Sequence, residues 1–113
     1  MLETLASAEG VRGEDTGLTL EILNGTKIAG LARRTREIYQ SFGFDVVSYG
    51  NAETQDIERT VIIDRKGDRE GAARVASVIK CNNIVSGLSA YGSQKNADFT
   101  IVLGGDFDGR YCK

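Results

Sequence analysis

The strongest constraint in this chain is a pattern that occurs twice: an apolar strand, a short polar turn, an amphipathic helix and a returning strand. In the first copy Leu18, Leu20 and Ile22 alternate with Thr19, Glu21 and Leu23, the period of a strand over 18–23 with one apolar face. Asn24-Gly25-Thr26 breaks that period. Ile28, Leu31, Ala32, Thr35, Ile38, Tyr39 and Phe42 then recur at spacings of three and four, which predicts one face of a helix. Gly30 falls inside that helix, where close packing on a sheet would compensate for its poor helix propensity. Gly43 ends the helix and a second strand follows over 44–49. After a polar loop over 50–58, the second copy opens with a strand over 59–64 containing Val61-Ile62-Ile63. Arg65-Lys66-Gly67 turns the chain, Asp68 is placed to cap a helix, and Ala72, Val75, Ala76 and Ile79 mark its inner face. Residues 82–96 read as a long connection anchored by Ile84, Val85, Leu88 and Tyr91, and a fourth strand runs over 99–103.

The order β-α-β-β-α-β fits two architectures. One is an α+β two-layer sandwich, ferredoxin-like, in which a four-stranded antiparallel sheet carries both helices on one face. The alternative is an α/β parallel sheet wrapped on both sides. Strands buried on both faces read as continuous apolar runs. Glu21, Asp45, Ser48 and Thr100 interrupt three of the four strands, which favours the two-layer fold with one sheet face either exposed, and then available to a partner or a second copy, or covered by something else.

At 113 residues the chain has room for one domain. Residues 1–17 mix Ala, Ser, Gly, Glu and Asp without periodicity and read as a tether; 18–106 form the domain and 107–113 a tail. The formal charge of −2 argues against nucleic-acid binding, and Arg33, Arg34 and Arg36 read as a solvated helix face. No apolar run reaches the roughly 20 residues that span a bilayer, so membrane contact is expected only through an anchor outside this sequence.

The chain has no histidine, the commonest general base and metal ligand. No serine or threonine has an evident activating partner, so neither catalytic residues nor a cofactor are expected. Asp106 and Asp108 supply too few oxygens for a calcium loop and read as turn residues, so no metal site is expected. Cys81 and Cys112 are too few for structural zinc. They fit either one disulfide, fastening the tail to a helix end, or two unrelated thiols.

Two loops are candidate ligand sites. Asn24, Gly25, Thr26 and Lys27 lie where a strand delivers the chain to a helix, whose first N–H groups favour an anion. Asn51 joins them from the downstream Gly50-Asn51-Ala52 segment. Arg65, Lys66 and Gly67 form a second helix entry; in the antiparallel topology it would sit at the opposite end of the sheet, near Gly104-Gly105-Asp106. Each loop also has a plain structural reading, as a cap and a turn.

Some of these segments are specific beyond their periodicity. Leu20-Glu21-Ile22-Leu23-Asn24-Gly25-Thr26, continued by Ile28-Ala29-Gly30-Leu31-Ala32, resembles the C-terminal domain of LytR-type (LytR-CpsA-Psr) cell-envelope proteins. Gly43-Phe44, Gly50-Asn51-Ala52 and the closing run from Ala97 through Leu103-Gly104-Gly105-Asp106 match the same pattern, so the resemblance covers 18–106. It implies an extracytoplasmic, cell-wall-associated accessory domain, here without the catalytic domain of LytR-type proteins. The expected function is non-catalytic: binding or scaffolding an envelope protein or a cell-wall glycan. The competing expectation is a small-molecule sensor that holds an anionic ligand at the first strand–helix loop.

Overall fold

The computed structural model describes residues 17–86 and 97–112. Strands β1 (Thr19–Asn24), β2 (Asp45–Asn51), β3 (Val61–Asp64), β4 (Ile84–Ser86) and β5 (Phe99–Leu103) form one sheet, with helices α1 (Leu31–Ser41) and α2 (Arg69–Ile79) between them. The expected tether over 1–17 falls almost wholly outside the described residues, as do Leu88 and Tyr91.

The α+β class holds, but the sheet is neither four-stranded nor antiparallel. Its order is β2-β1-β5-β3-β4. β1 pairs in parallel with β2 and with β5, β3 pairs in parallel with β4, and only β3 and β5 run antiparallel. The ferredoxin-like order is therefore corrected, and so is the all-parallel alternative. The extra strand lies in the segment read as a loop. Three residues, Ile84 to Ser86, are too short to show a period.

Each half is thus a β-α-β unit whose two strands are direct neighbours. β3 runs opposite to β1, and the two units step outward toward opposite edges. Right-handed crossovers then place both helices on the same sheet face. Burial agrees: Leu31, Ala32 and Tyr39 of α1 share one core with Ala72, Val75, Ala76 and Ile79 of α2, over Leu20, Ile22, Ile62, Phe99 and Ile101.

At the centre of the sheet the other face is covered, one of the two outcomes that Glu21 and Thr100 left open, while residues of the edge strands β2 and β4 stay exposed. Glu21, Thr100, Ile63 and Val102 are all buried. Register places Glu21 opposite Thr100 and Thr100 opposite Ile63. Arg65 Nε donates to Thr100 Oγ1 at 2.8 Å, and that hydroxyl donates to Glu21 Oε1 at 3.2 Å. A polar residue whose hydrogen bonds are met by its strand neighbours can be buried, which alternation in one strand cannot reveal. Ala52 and Ile57 pack over the Leu23, Val61 and Val102 end of the same face.

Helix α1 starts three residues later than the periodicity suggests. Gly30 is its N-cap, with φ of 80° in the left-handed region, and no atom lies within 4 Å of where a Cβ would stand. Its role is the turn and not close packing. Ile28 precedes the helix and is exposed, as is Phe42 at the other end. The C-terminus closes with Gly43 N donating to Gln40 O and Phe44 N to Tyr39 O, the paired bonds of a Schellman turn. Its usual apolar clasp is here the edge-to-face pair of Tyr39 and Phe44, 5.4 Å between centroids.

Beyond β5 the chain doubles back across the helices. Phe107 is buried in the core. Cys112 N donates to Ile79 O at 2.9 Å, and Cys112 is bridged to Cys81 just past the end of α2. A cross-link closing 31 residues of chain is worth about 3–4 kcal/mol on the loop-entropy account. Residues 107–112 are therefore a strap fixed at both ends.

Tyr39 is the largest fully buried side chain, and its hydroxyl donates to Val75 O at 2.6 Å, tying the two helices together. Burial pushes its phenol well above the ordinary range, an effect only partly offset by the nearby Arg110. The unfolded phenol ionises near 10 while the native one stays neutral. Stability is therefore expected to fall as pH climbs above about 10, because the unfolded chain releases a proton that the native state holds. In Tyr39→Phe this part of the alkaline loss should disappear, at a cost of about 1 kcal/mol near neutrality; urea midpoints of both proteins across that pH range check it.

Candidate functional site

The loop after β1 is built around a buried asparagine. Asn24 Oδ1 accepts from Thr26 N at 2.9 Å and from Thr26 Oγ1 at 2.6 Å, while its Nδ2 donates to Ile28 O at 2.8 Å. Thr26 Oγ1 in turn accepts from Ile28 N at 3.1 Å. Both side chains are buried, and their polar groups are engaged within the loop. Lys27 is exposed. Asn51 is the register partner of Asn24 at the end of β2, with its own side chain at the surface. Because α1 begins at Leu31, none of Asn24 to Lys27 stands at the helix N-terminus.

Gly25 shows why three loops meet here. Its N donates to Leu103 O and its O accepts from Ile57 N, at 2.9 and 3.0 Å. A Cβ at this position would lie 2.6 Å from Ile57 Cγ1 and 2.7 Å from Leu103 O. At Gly104 a Cβ would come within 2.5 Å of the Arg59 carbonyl carbon. Backbone thus passes against backbone at both points. Asp106 Oδ1 closes the junction by accepting from Thr60 N and Thr60 Oγ1, each at 2.8 Å.

The surface over this junction is a shallow, open depression of roughly 630 Å³ bordered by Thr26, Lys27, Ile28, Ile57, Glu58 and Asp106, with Asp56 beside them. One cation faces three carboxylates. Charge and geometry together disfavour an anion there.

The second loop lies at the opposite end of the sheet from Asn24, but not near Gly104. Arg65 N donates to Asp98 O at the start of β5, because β3 and β5 are antiparallel. The amides of Lys66, Gly67 and Asp68 all point to Asp64 Oδ1, at 3.0, 2.8 and 3.2 Å. The anion in this turn is the chain's own buried carboxylate. Arg65 turns inward to Thr100, and Asp68 caps α2 by accepting from Gly71 N at 2.9 Å. The two helix-entry loops do not converge; the amides of Thr26 and Ile28 in one, and of Lys66, Gly67 and Asp68 in the other, point to acceptors within their own loop.

A third surface was not legible in the sequence. The strap brings Arg110 between the helices, where Nη1 donates to Val78 O at 2.7 Å. Its guanidinium lies 4.3 Å from the centroid of Tyr111 and 5.9 Å from that of Phe42, and Lys80 Nζ lies 4.7 Å from the same Tyr111 ring. Phe42 and Tyr111 are exposed, at 48% and 36%. The available signal was Cys112: pairing it with Cys81 places residues 110 and 111 beside the end of α2. Among the described residues no three acidic, histidine or cysteine groups gather as a metal site, and no helix is long and apolar enough to cross a membrane.

The loop geometry sets an expectation for mutants. Asn24→Ala strands buried partners at Thr26 and Ile28 and should cost about 2–3 kcal/mol. Lys27→Ala should stay within about 0.5 kcal/mol of wild type. Paired urea denaturation curves measure both.

The fold is similar to that of a solved structure. The crystal structure of the soluble domain of a conserved hypothetical secreted protein from Mycobacterium marinum superposes with a TM-score of 0.64 at 20% identity, covering 91% of this chain and 70% of that one. No curated protein matches the chain in sequence. The family model described as LytR cell envelope-related transcriptional attenuator matches residues 17–107, from the glycine before β1 to the buried Phe107 of the strap. The chain therefore belongs to that family, as an extracytoplasmic domain of the cell envelope.

Proposed function

We propose that this chain is a non-catalytic accessory module that holds an envelope partner, a protein or a cell-wall polymer, against an open face of the domain. The observation that carries this reading is the strap surface. Arg110, Lys80, Tyr111 and Phe42 are presented together on a support fixed by a disulfide and by backbone hydrogen bonds. Arginine, tyrosine and phenylalanine are the residue types that dominate recognition interfaces. Family membership supplies the setting, a domain of the cell envelope.

A sensor for a small anion gains nothing from the first loop. The Thr26 amide and hydroxyl are engaged internally, and carboxylates border the depression above the loop. Small-molecule sites are concave and bury most of their ligand, whereas this depression is open.

The test is sedimentation of the purified domain with isolated cell-wall material, alongside affinity capture from detergent-solubilised envelope proteins. Enrichment in at least one of the two is expected. Failure in both would remove the accessory-binder reading.

A further inference from the structure

The strap surface has a chemistry that narrows the partner. Lys80 and Arg110 converge on one ring, and among the described residues neither forms an ion pair with a carboxylate; the ion pair of α1, Arg33 with Glu37 at 3.8 Å, lies elsewhere. Two cations that lie 4.7 and 4.3 Å from the centre of one ring repel, and the ring quadrupole compensates only in part. Carboxylates from outside would complete the arrangement, and Arg110 offers the planar fork that binds them best.

Beside these cations lies a trough. Depressions of about 400 and 270 Å³ sit side by side along α1, sharing Arg34 and Gly109, and together they reach from Gly30 to Ser41. Arg34 Nε donates to Gly109 O at 3.2 Å, which fixes the strap as one wall. An 11-residue helix rises roughly 16 Å, the length of about five residues of extended chain. Ile38 lines the trough and the exposed Phe42 stands just past the same helix; Glu37 and Asp108 also line it and offset Arg34, so the trough offers apolar contacts and the cations Lys80 and Arg110 supply the charge.

We infer that this trough and strap dock an acidic, partly apolar segment of a partner protein. The inference rests on the accessory-binder reading and assigns it a surface and a partner chemistry. Carboxylates of the segment meet Lys80 and Arg110, and its apolar side chains meet Ile38 and Phe42. An acidic glycan fits less well. Sugars stack on open ring faces, and here cations lie over the Tyr111 ring.

The experiment titrates the domain into two fluorescent polymers, a random glutamate–tyrosine copolymer and polygalacturonate, with anisotropy as the readout. The copolymer should bind and weaken as salt is added, with polygalacturonate at least about ten-fold weaker. Lys80→Gln and Phe42→Ser leave the strap's hydrogen bonds and disulfide in place. Each should weaken copolymer binding about five-fold, while Arg69→Gln, at the far end of α2, should not. Thermal melts confirm that the variants remain folded. No copolymer binding, equal loss in Arg69→Gln, or polygalacturonate binding as tightly as the copolymer would each overturn the assignment. If the domain is enriched with envelope material yet fails here, the accessory-binder reading stands and only the strap site falls.

Discussion

Strand β5 joins two halves that no other strand pairing connects. β1 with β2 and β3 with β4 are complete parallel pairs, and the sheet becomes continuous only when Phe99 to Leu103 inserts between β1 and β3. All five of its residues are buried: one face meets the helices, and on the other Ala52 and Ile57 pack at Val102 while Arg65 reaches Thr100. A strand closing the sheet from so late in the sequence makes the fold rich in non-local contacts, a topology that forms slowly. The strap continues the same logic. Once β5 is seated, Phe107 enters the core and Cys112 reaches Cys81, so the C-terminal residues fasten both helices to the sheet they cover.

The central strand also accounts for the junction at Gly25 and Gly104. β1 and β5 end side by side, and β3 begins beside them in the opposite direction. Three connections must therefore pass through one small volume. Two glycines allow backbone to lie against backbone, and Asn24, Thr60 and Asp106 meet the amides and hydroxyls left unpaired by the strands. A loop arranged in this way is a structural joint. Its polar residues look like a ligand site when read alone, because the residue types that hold a ligand also hold a turn.

Much of the secondary structure was legible because it rests on local physics. The alternation in β1, the three-and-four spacing through Tyr39, the Asp68 cap and the Gly43 stop are short-range features, and all four stand in the structure. What failed was non-local. Glu21 and Thr100 look like surface residues in their own strands, and only the register of β1 against β5, with Arg65 reaching across, makes their burial affordable in hydrogen bonds. Parallel and antiparallel orders both satisfy the same string of elements, and the choice depends on where β5 inserts. The start of α1 was misplaced because Ile28 fits the helical period but points into solvent ahead of the Gly30 turn. In the candidate loops Asn24 and Asp64 supply acceptors to their own turns, whereas the surface proposed for a partner assembles from residues 42, 80, 110 and 111, which no short sequence window contains.

Carboxylates of Glu58, Asp56 and Asp106 gather where β1 and β5 end, while Arg34, Lys80 and Arg110 stand along the helices and the strap, with Glu37 and Asp108 among them. A net charge of −2 conceals this, since opposite patches cancel in the sum. A local cation cluster such as Lys80 with Arg110 raises the rate of productive encounter with an acidic partner more than it raises affinity. Affinity must then come from what is fixed in place. For the proposed partner the strap would supply this, since Arg110 and Tyr111 are held by a covalent cross-link and by bonds to Val78 and Ile79, so less side-chain freedom remains to be lost on binding. Seen this way, the disulfide does two things at once: it closes the core over Phe107 and it preorganises the surface that the proposed partner meets.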